Sequence, residues 1–150
     1  MKLEQRQWTH ATGWAPGTVA LGTQAQLVLV FGSTAQLQEL KQLEELKAAY
    51  PNAQLFGCST AGEICGTRVD DGTIVSTAVA FDHTRVQGAQ VRVNGNRSSF
   101  QSGEQLAEQL PKDQLTHVLV LSDGLHVNGS ELVRGMLKHL PRNVQITGGL

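Results

Sequence analysis

Leu27-Val28-Leu29-Val30-Phe31 is an uninterrupted apolar run that stops at Gly32-Ser33. A strand with no polar alternation suits burial on both faces, so helices must cover the sheet, and the chain is predicted to be an α/β protein. Ser33 followed by Gln36 fits a capping box. Leu37, Leu40, Leu43, Leu46 and Tyr50 then mark a helix with a broad apolar side, ended by Pro51-Asn52. A short second strand from Gln54 to Cys58 completes a β-helix-β unit, a crossover that makes parallel strands of right-handed connection.

Downstream, Ile64 to Gly72 reads as a loop, and Thr73 to Phe81 alternates with Val75, Thr77, Val79 and Phe81 on one side. Asp82-His83-Thr84 is expected to turn the chain into a returning antiparallel strand from Arg85 to Val93, which makes the sheet mixed. Asn94-Gly95-Asn96 is a further expected turn. Phe100, Gly103, Leu106, Ala107 and Leu110 recur at helical spacing before Pro111, although a glycine inside a helix weakens it. Val118 to Leu121 is a second fully apolar strand, ending at Ser122-Asp123-Gly124. Asn128 and Glu131 form a capping signature for a helix lined by Leu132, Val133, Met136, Leu137 and Leu140, and Val144 to Thr147 begins one more strand.

The expected architecture is thus a mixed β-sheet with a β-α-β unit, an antiparallel hairpin and two further helices packed on the sheet. Residues 1–26, which hold both tryptophans, Trp8 and Trp14, show no clear periodicity and stand apart as an N-terminal segment. Residues 27–150 read as one domain without internal repeat or linker, in the size range of a single hydrophobic core. Gly148-Gly149-Leu150 interrupts an element, which reads as a C-terminal truncation.

Charge narrows the partners. Asp plus Glu (13) nearly balances Lys plus Arg (12), and no basic cluster provides the footprint that DNA or RNA binding needs. No apolar run is long enough to cross a bilayer, and Met1 to His10 has no secretory pattern, so a cytoplasmic location is expected. Cys58 and Cys65 match neither a zinc pair nor a C-x-x-C motif and are expected as free thiols.

Four strand ends carry Gly and Ser: Gly32-Ser33, Gly57 to Thr60, Ser122 to Gly124 and Thr147 to Gly149. In open α/β sheets ligands bind beyond the carboxyl ends of parallel strands, where backbone N–H groups and helix starts favour an anion. That edge nominates Ser33, Gly57, Cys58, Ser59, Thr60, Gly62, Glu63, Asp123, Gly124, Asn128, Gly148 and Gly149 as ligand contacts, with Glu63 and Asp123 suited to an ammonium group. Each also has an ordinary role: Ser33 and Asn128 as helix caps, the glycines and Asp123 as turn residues.

A hydrolase reading ranks below binding. Gly57-Cys58-Ser59-Thr60-Ala61 approximates a nucleophile elbow with Asp123 and His126 following in chain order, but no helix follows the turn and those two residues are only three apart. Cys58 as nucleophile fares no better. No metal-ligand spacing is present, and His126 is the one histidine placed to hold a haem or metal.

The string Phe56-Gly57-Cys58-Ser59-Thr60-Ala61-Gly62-Glu63-Ile64 resembles the FIST N-terminal domain, a bacterial intracellular sensory module. Asp71-Gly72, Val79-Ala80-Phe81, Leu121-Ser122-Asp123-Gly124 and Thr147-Gly148-Gly149-Leu150 follow in the order that family shows. The resemblance implies a non-catalytic domain that binds small molecules, with amino acids as proposed ligands and no cofactor. It also implies a signalling output module as partner: a histidine kinase, a chemotaxis or cyclic-dinucleotide protein, or a FIST C-terminal domain. Some members are described as haem-based nitric-oxide sensors, for which His126 is the candidate here.

Overall fold

A computed structural model describes residues 1–93 and 98–150. The chain divides into two compact units, Met1–Val86 and Gln87–Leu150.

The N-terminal unit opens with β1 (Lys2–Thr9), β2 (Gly13–Ala15) and a 3₁₀ turn at Gly22–Gln24. Next come β3 (Leu27–Gly32), α1 (Thr34–Gln38), α2 (Leu40–Ala49), β4 (Gln54–Ser59), β5 (Glu63–Cys65), β6 (Arg68–Asp70) and β7 (Ile74–Ala80). Five strands form one mixed sheet in the order β2-β1-β7-β3-β4; β3 and β4 are parallel, and β7 runs antiparallel to both β1 and β3.

Register sorts the side chains into two faces. Val28, Val30, Ile74, Ala78 and Leu55 share the face that packs with Leu46 and Tyr50 of the helical segment and with Leu21 and Ala25. The odd-numbered positions Leu27, Leu29 and Phe31 of β3 lie on the opposite face with Val75, Thr77 and Val79. There the β5-β6 hairpin is tied to β1, with Gln7 Nε2 donating to Asp70 Oδ2 at 3.0 Å and Cys65 Sγ donating to Gln5 Oε1 at 3.5 Å.

The C-terminal unit contains α3 (Ser99–Gln109), β8 (His117–Leu121), α4 (Gly129–His139) and β9 (Gln145–Gly149). β8 and β9 form their own parallel two-stranded sheet, with Ala107, Leu132, Met136, Val118 and Val144 in the buried core. A full capping box at Ser98 and Gln101 starts α3. Gly103, unfavourable by propensity, is required by packing. A Cβ there would lie 2.1 Å from the Leu132 carbonyl oxygen, and one on Gly135 would lie 2.0 Å from that of Phe100. The two helices therefore meet backbone to backbone.

Several expectations are corrected. Residues Arg85 to Val93 form no strand, because both edges of β7 are already occupied, by β1 and β3. The antiparallel hairpins are β1-β2 and β5-β6 instead. The second replaces the loop expected over Ile64 to Gly72 and turns at Gly66, whose φ is +61°. The segment without periodicity supplies β1, hidden from a hydrophobicity pattern because its inward side includes Glu4 and Arg6. Arg6 is 5% exposed; its Nε donates to the Pro16 carbonyl at 3.0 Å and its guanidinium lies 5.3 Å from the Trp14 ring centroid. Glu4 accepts from the Ala20 and Leu21 N–H groups, both at 2.9 Å. The single helix expected from Ser33 to Tyr50 breaks at Glu39, whose ψ of 95° is extended, and leaves Leu40 65% exposed. The turn expected at Asn94-Gly95-Asn96 lies outside the described residues.

Candidate functional site

The strand-end turns fall into one set per unit. In the N-terminal unit β3 and β4 end in register, Gly32 opposite Ser59, and Thr60 N–H extends the ladder to the Gly32 carbonyl at 2.9 Å. Gly57 sits opposite Val30, and its backbone passes so close that a Cβ would lie 1.7 Å from the Val30 carbonyl oxygen. No other residue fits there.

The segment that follows is held by Glu63. Its side chain is among the most buried in the protein, at 1% exposed. Thr60 Oγ1 donates to Oε1 at 2.8 Å, while Thr73 N–H and Thr73 Oγ1 donate to Oε2 at 3.1 and 3.0 Å. Three donors replace the water that a buried carboxylate gives up. Glu63 is thus directed inward, welding the turn to the start of β7, while Ser59 and Ala61 are exposed and Thr60 and Gly62 half-buried. Thr73, which sequence reasoning passed over as the first residue of a strand, is its chief partner. A lone Thr carries no signal for that role.

Ser33 N–H donates to the Thr73 carbonyl at 3.1 Å, and Ser33 Oγ caps α1 by accepting from Gln36 N–H at 3.4 Å. The predicted capping box is only half formed, because the Gln36 amide is drawn elsewhere. Its Nε2 lies 2.9 Å from His10 Nε2, and Trp8 meets the His10 ring edge-on at 4.8 Å. His10 came from the segment with no periodic signal. Cys58 is half-buried and free; burial pushes its thiol pKa up, which favours the neutral form over the nucleophilic thiolate.

The C-terminal unit brings together the other set. Leu121 faces Gly149, and Ser122 N–H donates to the Gly149 carbonyl at 3.1 Å. Gly148 has φ +155°, and a Cβ there would lie 1.8 Å from the Val120 carbonyl oxygen. Asp123 organises the turn that follows β8: Oδ1 accepts from Leu125 N–H at 2.8 Å and Oδ2 pairs with His126 Nδ1 at 2.6 Å. The Leu125 amide first and His126 second hold the Asp123 carboxyl below the usual carboxylate range. Gly124 and His126 are exposed. Asn128 Oδ1 caps α4 by accepting from Glu131 N–H at 3.1 Å, and its own N–H donates to Ser99 Oγ at 2.9 Å.

Nucleophilic catalysis needs a base beside the nucleophile. Among the described residues neither Ser59 nor Cys58 has a histidine or carboxylate partner, and Ser122 Oγ, beside the Asp123–His126 pair, has no hydrogen-bond partner. No group of three or more His, Cys, Asp or Glu among them could hold a metal ion, and no helix is long and apolar enough to cross a membrane.

No curated protein and no solved structure matches the chain. The family model of the FIST N domain does, over residues 26–150, which takes in both sets of turns. The buried-acid turn from Gly57 to Glu63 and the Gly148–Gly149 turn both lie inside that match, and the chain belongs to the FIST N domain family, a family of signal-transduction sensory domains.

Proposed function

We propose that this chain is a non-catalytic input domain that binds an amino acid or a similar small zwitterion and passes the occupancy to a signalling output module. Support comes chiefly from Glu63. A turn pinned from below by a fully engaged carboxylate presents Ser59, Thr60, Ala61 and Gly62 at the surface in a fixed arrangement, which suits recognition, while nothing adjacent activates a nucleophile. Ser33, Gly57 and Cys58 frame that turn, with Glu63 shaping it from below. In the other unit Asp123, Gly124, Asn128, Gly148 and Gly149 form a second candidate contact set, with Asp123 as the acceptor for an ammonium group. Ligand favouring one arrangement of these turns shifts the population toward it, and a histidine kinase, chemotaxis protein, cyclic-dinucleotide protein or FIST C-terminal domain reads that shift. The setting proposed is the bacterial cytoplasm.

A thermal-shift screen of the amino acids tests the reading, because a ligand that binds only the folded state raises the melting temperature. At a hundredfold excess over Kd the gain is about 2.7 kcal/mol. Flat responses to every amino acid sink it.

One observation favours haem as a second reading. Asp123 occupies His126 Nδ1 and leaves Nε2 with no hydrogen-bond partner among the described residues, as an axial ligand requires. The fit is incomplete, since Leu125 beside it is 91% exposed and offers no apolar wall for a macrocycle within this unit. Haemin titration of the parent and His126→Ala decides: a Soret shift that the variant retains removes His126 from the reading.

A further inference from the structure

On the helix-covered side of the N-terminal sheet, beside β4, lies a partly open pocket of about 230 Å³. Val30, Leu37, Leu43 and Leu55 wall it, and Lys47, Phe56 and Cys58 also line it. Backbone geometry, not a chance small side chain, keeps it open. Gly57 lines it too, opposite Val30, and its approach to the Val30 carbonyl forbids any side chain that would fill the space. The break between α1 and α2 at Glu39 turns Leu40 outward, to 65% exposure, instead of over the gap.

Lys47 is exposed, and no ion pair among the described residues involves it. A largely apolar, partly open pocket with one ammonium group in its lining is matched by a ligand with an aliphatic body and one anionic end. An apolar cavity of about 150 Å³ accepts benzene, so about 230 Å³ has ample room for a six-carbon aliphatic acid.

We infer that this cavity binds a short aliphatic carboxylate, with its chain among Val30, Leu37, Leu43 and Leu55 and its carboxylate on Lys47. The inference rests on the sensing reading and narrows it: the preferred ligands carry a branched or linear aliphatic chain of leucine size. It also links occupancy to the turn, because Gly57 and Cys58 line the cavity and lead directly into Ser59.

Methyl resonances of Val30, Leu37, Leu43 and Leu55 report occupancy by NMR. 4-Methylpentanoate is the probe and 4-methylpentanol its neutral counterpart. The expected result is saturable shifts of those methyls with the acid, with Lys47→Gln raising the half-saturating concentration about fivefold for the acid and leaving the alcohol unchanged. Absence of saturable shifts overturns the inference, as does binding of the acid that Lys47→Gln does not weaken. An amino acid that raises the melting temperature while those methyls stay at their unliganded positions also overturns it and leaves the sensing reading intact. Saturable shifts with 4-methylpentanoate when no amino acid shifts the melting temperature support the pocket and remove the amino-acid reading.

Discussion

The segments β3–helix–β4 and β8–α4–β9 are two versions of one unit. Each begins with an apolar strand containing Val-Leu-Val, continues through a capped helix and a proline, and returns in parallel. In each, a glycine on the second strand faces the second Val of the first, Gly57 against Val30 and Gly148 against Val120, with room for no Cβ. No repeat is evident from the letters alone; it lies in the register. The surroundings differ. β3 has β7 on its other edge and the turn after β4 is anchored by a buried acid, whereas β8 and β9 form a sheet by themselves and the turn after β8 is organised by an exposed Asp123. The crossover geometry is therefore common to both units, and the Glu63 anchor is what distinguishes the Gly57 to Glu63 turn.

The largest effects test the shared geometry. Gly57→Ala and Gly148→Ala each force a methyl into a backbone carbonyl, and each is expected to cost about 3 kcal/mol or more in urea unfolding. Equal losses bear out the equivalence of the two glycines; a tolerated substitution at either breaks it. Next comes the feature that differs. Glu63→Gln leaves buried Thr donors facing an amide and is expected to cost about 2–4 kcal/mol. Hydrogen exchange should accelerate at the Thr60 and Thr73 amides and stay unchanged in β8 and β9.

The caps discriminate more finely. Asn128→Ala should cost about 1 kcal/mol by thermal unfolding, and Ser33→Ala less, because the Ser33 contact is longer, 3.4 against 3.1 Å. A larger loss at Ser33 would reverse the ranking. The smallest effect is a pH effect confined to the C-terminal unit. Lys138 and His139 both approach Glu104, and Lys138 first holds its carboxyl below the usual range. A depressed folded-state pKa contributes stability above the unfolded value that is lost as pH falls through the folded one. Lys138→Met is thus expected to move the acid-unfolding midpoint to higher pH, followed by circular dichroism; an unmoved midpoint assigns the pair no stabilising role.

What could be read in advance followed local rules. Val28 to Phe31, Val118 to Leu121, the Asn128 cap and the Leu132–Met136 face are legible because burial on both faces and helical periodicity are written in neighbouring residues. β1 was not, because its inward Glu4 and Arg6 are satisfied by Pro16, Ala20 and Leu21, contacts absent from any short window. Arg85 to Val93 alternates well enough for a strand and forms none. Among the turn residues, position in the chain announced Gly57 and Gly148, but nothing local distinguished an inward Glu63 from an outward one.

From its sequence alone this protein was bound to be α/β, to carry its glycines at strand ends and to bear the string that marks its family, since each depends on residues adjacent along the chain. Tertiary structure alone decided which strands took the two edges of β7, where the chain divided into units and which way Glu63 faced. Those outcomes turn on whether distant strands and Thr73 arrive to pair with groups that would otherwise stay in water, and a pairing between distant residues has no local spelling.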